Sequence, residues 1–456
     1  MMEMTMERTE AGREAREPPR NDLPVAVIGA GPVGLVAAAH LVRRGEAVVV
    51  LEAGAAVGAS VRAWGHVRLF TPWKHLLDPQ AEALLAPTGW IVPELDEHPT
   101  GADYVERFLV PLSRTPRIAA ALRMRTKVVR VVRTSPVAGS AFRLDLQDGG
   151  QVLARAVIDA SGNWSTPNPL GGRGEPLDGE ETEARILRGI PDVAGADRSL
   201  VAGQRVLVAG SGHSALHLLR ELLTVQAAEP ATRVQWIIRR PASRRLFGGG
   251  EADALPARGA MGQAIEAAVR EGRITLVDGF RASRLRPADS VEPGGPGTPQ
   301  AGLLVDEEGP AGRTLGPFDR ILVATGFRPD LAPTLGLNLA LDPRLEAPLA
   351  LAPLVDPALH ACGSVRPHGW RELAHPETGY FAVGVRSYGR APTFLLRTGY
   401  EQVRSVVAHL SGDQAAAEAR EWELPATGVC VTDAADLPAL AAVSGSEGGC
   451  CTGCGC

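Results

Sequence analysis

The chain has 456 residues, 45% of them hydrophobic and 22% charged, with a formal net charge of −5. That length suits two or three domains at ~150 residues each, and the acidic balance excludes a protein that neutralises phosphate backbones along a basic stripe. Glycine (52) and proline (36) are abundant while aromatic residues make up 4%, which excludes long coiled coils and predicts many tight turns.

Residues 1–22 are polar and carry no helical apolar stripe, so a disordered N-terminal tail is expected there. They mix Glu with Arg, unlike the basic start of a secretory signal. Leu23 to Val42 holds no formal charge and passes the length test for a membrane span, yet Gly29, Gly31, Pro32 and Gly34 interrupt it. No membrane span is expected, and the chain reads as cytoplasmic. Instead, Val25 to Ile28 reads as a buried strand, the glycines as a turn, the segment to Arg44 as a helix and Ala47 to Leu51 as a second strand. The same strand, glycine turn, helix and strand return at Arg205 to Ala209 and Val234 to Ile238. Short all-apolar strands alternating with helices indicate parallel sheets covered on both faces. Repetition at that distance indicates two similar domains. Residues 166–200 read as a connector, 288–302 as a surface turn, and Gly399 to Leu410 as a long helix. Residues 411–456 lose periodicity and predict a loosely held tail.

The first turn is Gly29-Ala-Gly31-Pro-Val-Gly34, with Glu52 closing the next strand. The first glycine permits the tight turn, the second admits a pyrophosphate close to the backbone, and the third lets helix and strand pack closely. The helix start then offers free N–H groups to phosphate, and Glu52 can accept from a ribose diol. The second turn is Gly210-Ser-Gly212-His-Ser214-Ala215, an allowed variant with alanine third. No acid closes its second strand; Arg239 and Arg240 follow, then Arg244 and Arg245. Guanidinium forks suit a 2′-phosphate that a carboxylate would repel, so NADPH is favoured over NADH. His213 and His217 stand one helical turn apart, a metal-binding spacing that reads as incidental inside a dinucleotide loop.

With these motifs the chain resembles the flavoproteins with two dinucleotide-binding domains, a superfamily of flavin-containing monooxygenases, N-hydroxylases and thioredoxin-reductase-like enzymes. The resemblance covers about residues 23–410. It rests on the two glycine motifs, on Glu52-Ala-Gly-Ala-Ala-Val-Gly58, and on two crossover segments, Asp159-Ala-Ser-Gly162-Asn-Trp-Ser-Thr-Pro167 and Ala324-Thr-Gly326-Phe-Arg-Pro329. It implies an α/β fold of two Rossmann-like domains, an FAD domain at 23–165 and 331–410 with an NADPH domain at 166–330 inserted into it. It further implies flavin contacts from Gly58, Arg62, Trp73, Gly363, Arg390 and Thr393. Ordinary loop packing is an equal reading of the segment holding Arg62 and Trp73. Ser364 stands where the family usually has an acid on the flavin's ribityl chain. The stretches Arg244 to Gly250 and Tyr388 to Phe394 are also similar to flavoproteins associated with bacterial arsenic-resistance operons.

Two departures narrow the chemistry. The Phe-x-Gly-x-x-x-His fingerprint of flavin monooxygenases is missing before Arg205, and no cysteine precedes Cys362, so a redox dithiol beside the flavin lacks its inner half. Four cysteines, Cys450, Cys451, Cys454 and Cys456, crowd the C-terminal tail. Adjacent cysteines stand ~3.8 Å apart at Cα, too close for a relaxed disulfide, which leaves capture of a thiophilic metal or metalloid or a dispensable end. The leading expectation is an FAD- and NADPH-dependent monooxygenase that takes O2 and moves one oxygen atom from a flavin peroxide to a soft nucleophile, arsenite or an organoarsenical among them. The alternatives are a reductase of disulfides or thiol-bound metal that uses the tail, and a non-catalytic redox sensor or metalloid-binding protein. A small-molecule substrate is expected and no nucleic acid; assembly into a homo-oligomer is left open.

Overall fold

The computed structural model describes residues 20–419 except 138, 249, 254, 289–301, 357–367 and 392–393. Gly363, Ser364, Thr393 and the four tail cysteines therefore lie outside the described residues.

Two five-stranded parallel sheets organise the chain. The first runs in the order Tyr380–Ala382, Ala156–Asp159, Val25–Ile28, Val48–Leu51, Leu122–Arg123. Its central strands are apolar at every position but the last of Ala156–Asp159, because helices and loops cover both faces. The second runs in the order Ile274–Val277, Arg233–Ile237, Arg205–Ala209, Arg320–Val323, Ile186–Arg188. All of its strands lie in sequence between two strands of the first, which makes the fold α/β with one Rossmann-like unit inserted into another. The stretch at 166–200, read as a connector, supplies the edge strand Ile186–Arg188, parallel to Arg320–Val323. Three residues are too few for a strand to show a period of its own.

Each unit also carries a three-stranded antiparallel sheet. One is Val128–Arg133, Phe142–Leu146 and Gln151–Ala154; the other is Ala282–Pro287, Leu303–Glu307 and Thr314–Phe318. Four long helices cover the parallel sheets: Pro32–Arg43 and Leu396–Leu410 on the first, His213–Ala228 and Pro256–Arg270 on the second. Leu35, Leu41, Phe108 and Tyr400 fill one core, while Leu219, Trp236 and Ile265 fill the other.

The expected tails are partly ordered. Arg20–Asp22 forms one 3-10 turn, and Arg20 Nη2 donates to the Arg155 carbonyl at 3.3 Å. Past the last long helix, Gln414–Glu418 forms a short helix on which Ser405 Oγ donates to the Ala417 carbonyl at 2.7 Å. Among the described residues no helix is long and apolar enough to cross a membrane; the uncharged Leu23 to Val42 stretch is instead a strand, a turn and a helix.

Candidate functional site

Both glycine turns are built alike. Gly29 has φ +96°, and a Cβ there would stand 2.8 Å from the Ala160 carbonyl oxygen. Gly210 has φ +132°, and its Cβ would overlap the Ala324 carbonyl oxygen. Each first glycine therefore backs onto the crossover segment of its own unit. The match extends to the ladder, because Ala160 N–H donates to the Ile28 carbonyl at 3.0 Å and Ala324 N–H to the Ala209 carbonyl at 2.8 Å. Gly34 packs so tightly that its Cβ would overlap the Gly29 carbonyl oxygen; Ala215 takes that place in the second turn, fully buried.

The middle glycines differ in kind. A Cβ on Gly31 or Gly212 would meet nothing within 4 Å, and both have ordinary extended backbone, φ −80° and −90°. Nothing in the folded chain itself requires glycine at either position. What the missing side chains leave free is space over two helix starts. Gly31 caps Pro32–Arg43 and Gly212 caps His213–Ala228, neither with a side-chain hydrogen bond, so the first N–H groups remain available to an anion. Ser214 lies in the first turn of the second helix, partly buried.

Glu52 is buried and has more to do than meet a ribose. Its Oε2 accepts from Ala30 N–H and its Oε1 from Gly54 N–H, both at 2.6 Å. Gly58, with φ +66°, adds a further tie by donating its N–H to the Ala30 carbonyl at 2.9 Å. The loop around Gly31 is thus held open from the side of the second strand.

The two crossovers run past each other in the middle of the molecule. Asn168 N–H donates to the Gly326 carbonyl at 2.9 Å, Arg328 N–H to the Thr166 carbonyl at 3.0 Å, and Trp164 stacks on Phe327 with 4.7 Å between ring centroids. Beneath the first crossover, Asp159 Oδ2 stands 2.5 Å from Arg386 Nε and accepts from the Tyr380 hydroxyl at 2.7 Å. Arg386 Nη2 donates to the Asp330 carbonyl at 3.0 Å, at the end of the second crossover. Burial alone would disfavour the Arg386 charge, but Asp159 and Tyr380 hold its pKa above the usual arginine value.

Residues 26–246 match the family described as pyridine nucleotide-disulphide oxidoreductase. Solved structures of the same fold include bacillithiol disulfide reductase from Bacillus cereus (TM-score 0.59, 17% identity, covering 86% of this chain and 99% of that one). A flavin-containing monooxygenase from Stenotrophomonas maltophilia gives TM-score 0.54 and 22% identity over 85% and 99%. The FAD-bound cadaverine monooxygenase of desferrioxamine biosynthesis from Erwinia amylovora gives 0.57 and 15% over 89% and 99%. Residues 26–246 thus carry the pyridine nucleotide-disulphide oxidoreductase match, and the chain shares the fold of these solved structures. No curated protein matches it in sequence.

The residues expected around a flavin ring have diverse surroundings. Trp73 is 1% exposed, packed on Tyr104 at 5.8 Å between ring centroids with Arg107 over its ring. Arg62 is exposed and donates to Glu106 Oε1 at 2.6 Å. Arg390 is exposed, with Glu346 Oε1 at 3.7 Å. The last long helix begins one residue after Leu395 with no side-chain cap, and Gly399 packs so closely on Val33 that a Cβ would stand 2.9 Å from it. Its open N-terminus thus lies against the helix that Gly31 caps.

The two units also meet through histidines. His66 faces His217 with 5.9 Å between ring centroids, and Phe70 faces His213 at 5.2 Å. Burial first, then the Arg258 guanidinium, lowers His213 to about 4. The i,i+4 pair on this helix is therefore part of the seam between the units. Among the described residues no group of three or more His, Cys, Asp or Glu could hold a metal ion. Reading residue types along the chain missed Asp159, Arg386, Tyr380 and His66 as a structural set, because their partners are far away in sequence.

Proposed function

We propose that the chain is an FAD-dependent, NADPH-consuming monooxygenase that places one oxygen atom on a soft nucleophile. The observation that carries the nucleotide reading is the pair of middle glycines, Gly31 and Gly212, each with empty space where a side chain would stand above an uncapped helix start. When bound, FAD would accept two electrons from NADPH and activate O2.

The chain's own residues supply binding and orientation. Gly31 and the N–H groups at the start of Pro32–Arg43 would receive the FAD pyrophosphate, and Glu52 holds that loop in shape through Ala30 and Gly54. Gly212 and the start of His213–Ala228 would receive the NADPH pyrophosphate, and Arg239 and Arg240 would meet its 2′-phosphate. We propose the corresponding division into an FAD domain at 23–165 and 331–410 and an NADPH domain at 166–330. Overall, substrate, O2, NADPH and one proton give oxygenated substrate, water and NADP+.

The absence of cysteine before Cys362 favours oxygen transfer over dithiol exchange. The four cysteines at 450–456 favour a second reading, in which electrons pass to a disulfide or to a thiol-bound metal. The acceptor we propose is a trivalent arsenical or a related soft nucleophile, which cysteine thiolates would capture well. NADPH oxidation is to be followed with arsenite or a thioether under labelled O2. Label in the product, with no turnover in the absence of O2, is the expected result. Anaerobic NADPH oxidation coupled to thiol release from a disulfide would replace it with the reductase reading.

A further inference from the structure

We propose that Trp236 is a positioning residue of the second glycine turn: its indole N–H holds the peptide between Gly210 and Ser211, the part that Glu52 takes in the first turn, and lets alanine stand at 215. The proposal rests on the reading of that turn as an NADPH cradle and adds to it a core residue that lies outside the glycine motif.

The two units supply the comparison themselves. Gly29 N–H donates to the Leu51 carbonyl at 2.8 Å and Gly210 N–H to the Ile237 carbonyl at 3.1 Å, so both turns leave their sheets in the same register. Val27 pairs with Val50, and Val208 pairs with Trp236. Trp236 therefore stands where the first unit has Val50, and both side chains are fully buried. Glu52, two positions after Val50, is matched by Ile238, which has no side-chain acceptor to offer the turn.

Corresponding peptides are gripped at opposite ends. In the first turn Glu52 Oε2 accepts from Ala30 N–H at 2.6 Å, and the Gly29 carbonyl oxygen fills the space that a Cβ on Gly34 would need. That packing is closed to the second turn, because Ala215 carries the Cβ. There the Gly210 carbonyl accepts from Trp236 Nε1 at 2.6 Å instead. Phe247 braces the indole edge-on, with 6.1 Å between ring centroids. The Phe247 carbonyl oxygen in turn lies where a Cβ on Gly262 would stand, so its loop is seated directly on the helix Pro256–Arg270. A planar peptide points its N–H away from its carbonyl, so the indole fixes the direction of Ser211 N–H as well. Ser211 is exposed, and its N–H has no partner among the described residues. The second turn thus leaves free for a ligand the donor that the first spends on Glu52. Without the indole the carbonyl loses its donor, and a ligand must then order the peptide at its own cost.

The test is calorimetric titration of the FAD-loaded full chain with NADP+, with the unfolding midpoint measured alongside. Trp236→Phe should weaken NADP+ binding by about tenfold, the effect of one hydrogen bond, while affinity for FAD does not follow. In an Ala215→Gly background the Gly210 carbonyl has the space that Gly34 gives Gly29, and the same substitution should cost less than about threefold. A tenfold loss in both backgrounds would overturn the coupling to Ala215 and the proposal with it. NADP+ affinity kept in Trp236→Phe while the unfolding midpoint falls would make Trp236 a core residue alone and leave the NADPH reading intact. If Trp236→Phe does not fold by itself, rescue of folding by Ala215→Gly would support the coupling, and failure of both would overturn it. No NADP+ binding by wild type would overturn the NADPH reading and the proposal together.

Discussion

His66 and His217 face each other across the seam between the two units, their ring planes tilted by 51° and the Nε2 atom of each buried without a hydrogen-bond partner. His217 Nδ1 lies 3.4 Å from Arg220 Nη2. Burial is the largest influence on His217; Glu221 and Asp192 raise its pKa while Arg220 and His66 lower it, and the outcome is about 4.

The folded state thus binds a proton at His217 less well than the unfolded chain, whose histidines titrate near 6.5. Stability from this group is fully present above pH 6.5 and is lost as pH falls towards 4, by up to about 3 kcal/mol. Urea unfolding followed from pH 7.5 to 4.5 should show this slope, and His217→Leu should flatten it. A slope unchanged in the variant would remove His217 as its source.

Gly31→Ala and Gly34→Ala should fail in opposite ways. The added methyl at Gly31 enters empty space in ordinary backbone geometry, so stability should hold within ~0.5 kcal/mol, while affinity for FAD drops roughly tenfold because the methyl occupies the phosphate's approach. At Gly34 the methyl meets the Gly29 carbonyl, and overpacking should cost about 1–3 kcal/mol of stability. FAD titration beside thermal unfolding separates the two.

Glu52→Gln keeps size but replaces one acceptor oxygen with a donor. Either Ala30 N–H or Gly54 N–H then faces an NH2 group, and a buried unpaired donor costs about 1–3 kcal/mol. The variant should lose stability even without nucleotide. If it unfolded like wild type and lost only affinity, Glu52 would act on the ribose alone.

Arg386→Leu strands the Asp159 carboxylate, which is 3% exposed, and removing one partner of a buried pair costs about 3–5 kcal/mol. Adding Asp159→Asn should recover part of the loss, since the neutral amide no longer needs a cation. Denaturant midpoints for the two single variants and the double variant form the cycle that measures this coupling.

The cradles were legible in the sequence because their requirements are local. Gly29 and Gly210 need positive φ, Gly34 needs to lack a Cβ, and the spacing of a glycine turn after a four- or five-residue apolar strand states this within a dozen positions. The helix expected at Gly399 to Leu410 was legible too, although it starts earlier, at Leu396. The strand Ile186–Arg188 was not, because it is defined only by pairing with Arg320–Val323. Trp73 was ambiguous for a related reason: a tryptophan after a glycine-rich loop serves a ring-binding wall or a core equally well, and its neighbours Tyr104 and Arg107 come from a distant stretch of sequence.

The crossover segments and the insertion of one unit within another were expected from the family resemblance, whereas the sequence by itself determined two glycine cradles, each after an apolar strand. It did so because backbone conformation and apolar periodicity depend on near neighbours. Only the tertiary structure decided that Asp159 holds Arg386 and that His66 meets His217. Those pairings follow from the order of strands in each sheet and the way the crossovers stack. Strands of three to five residues leave that order open until the packed cores select it.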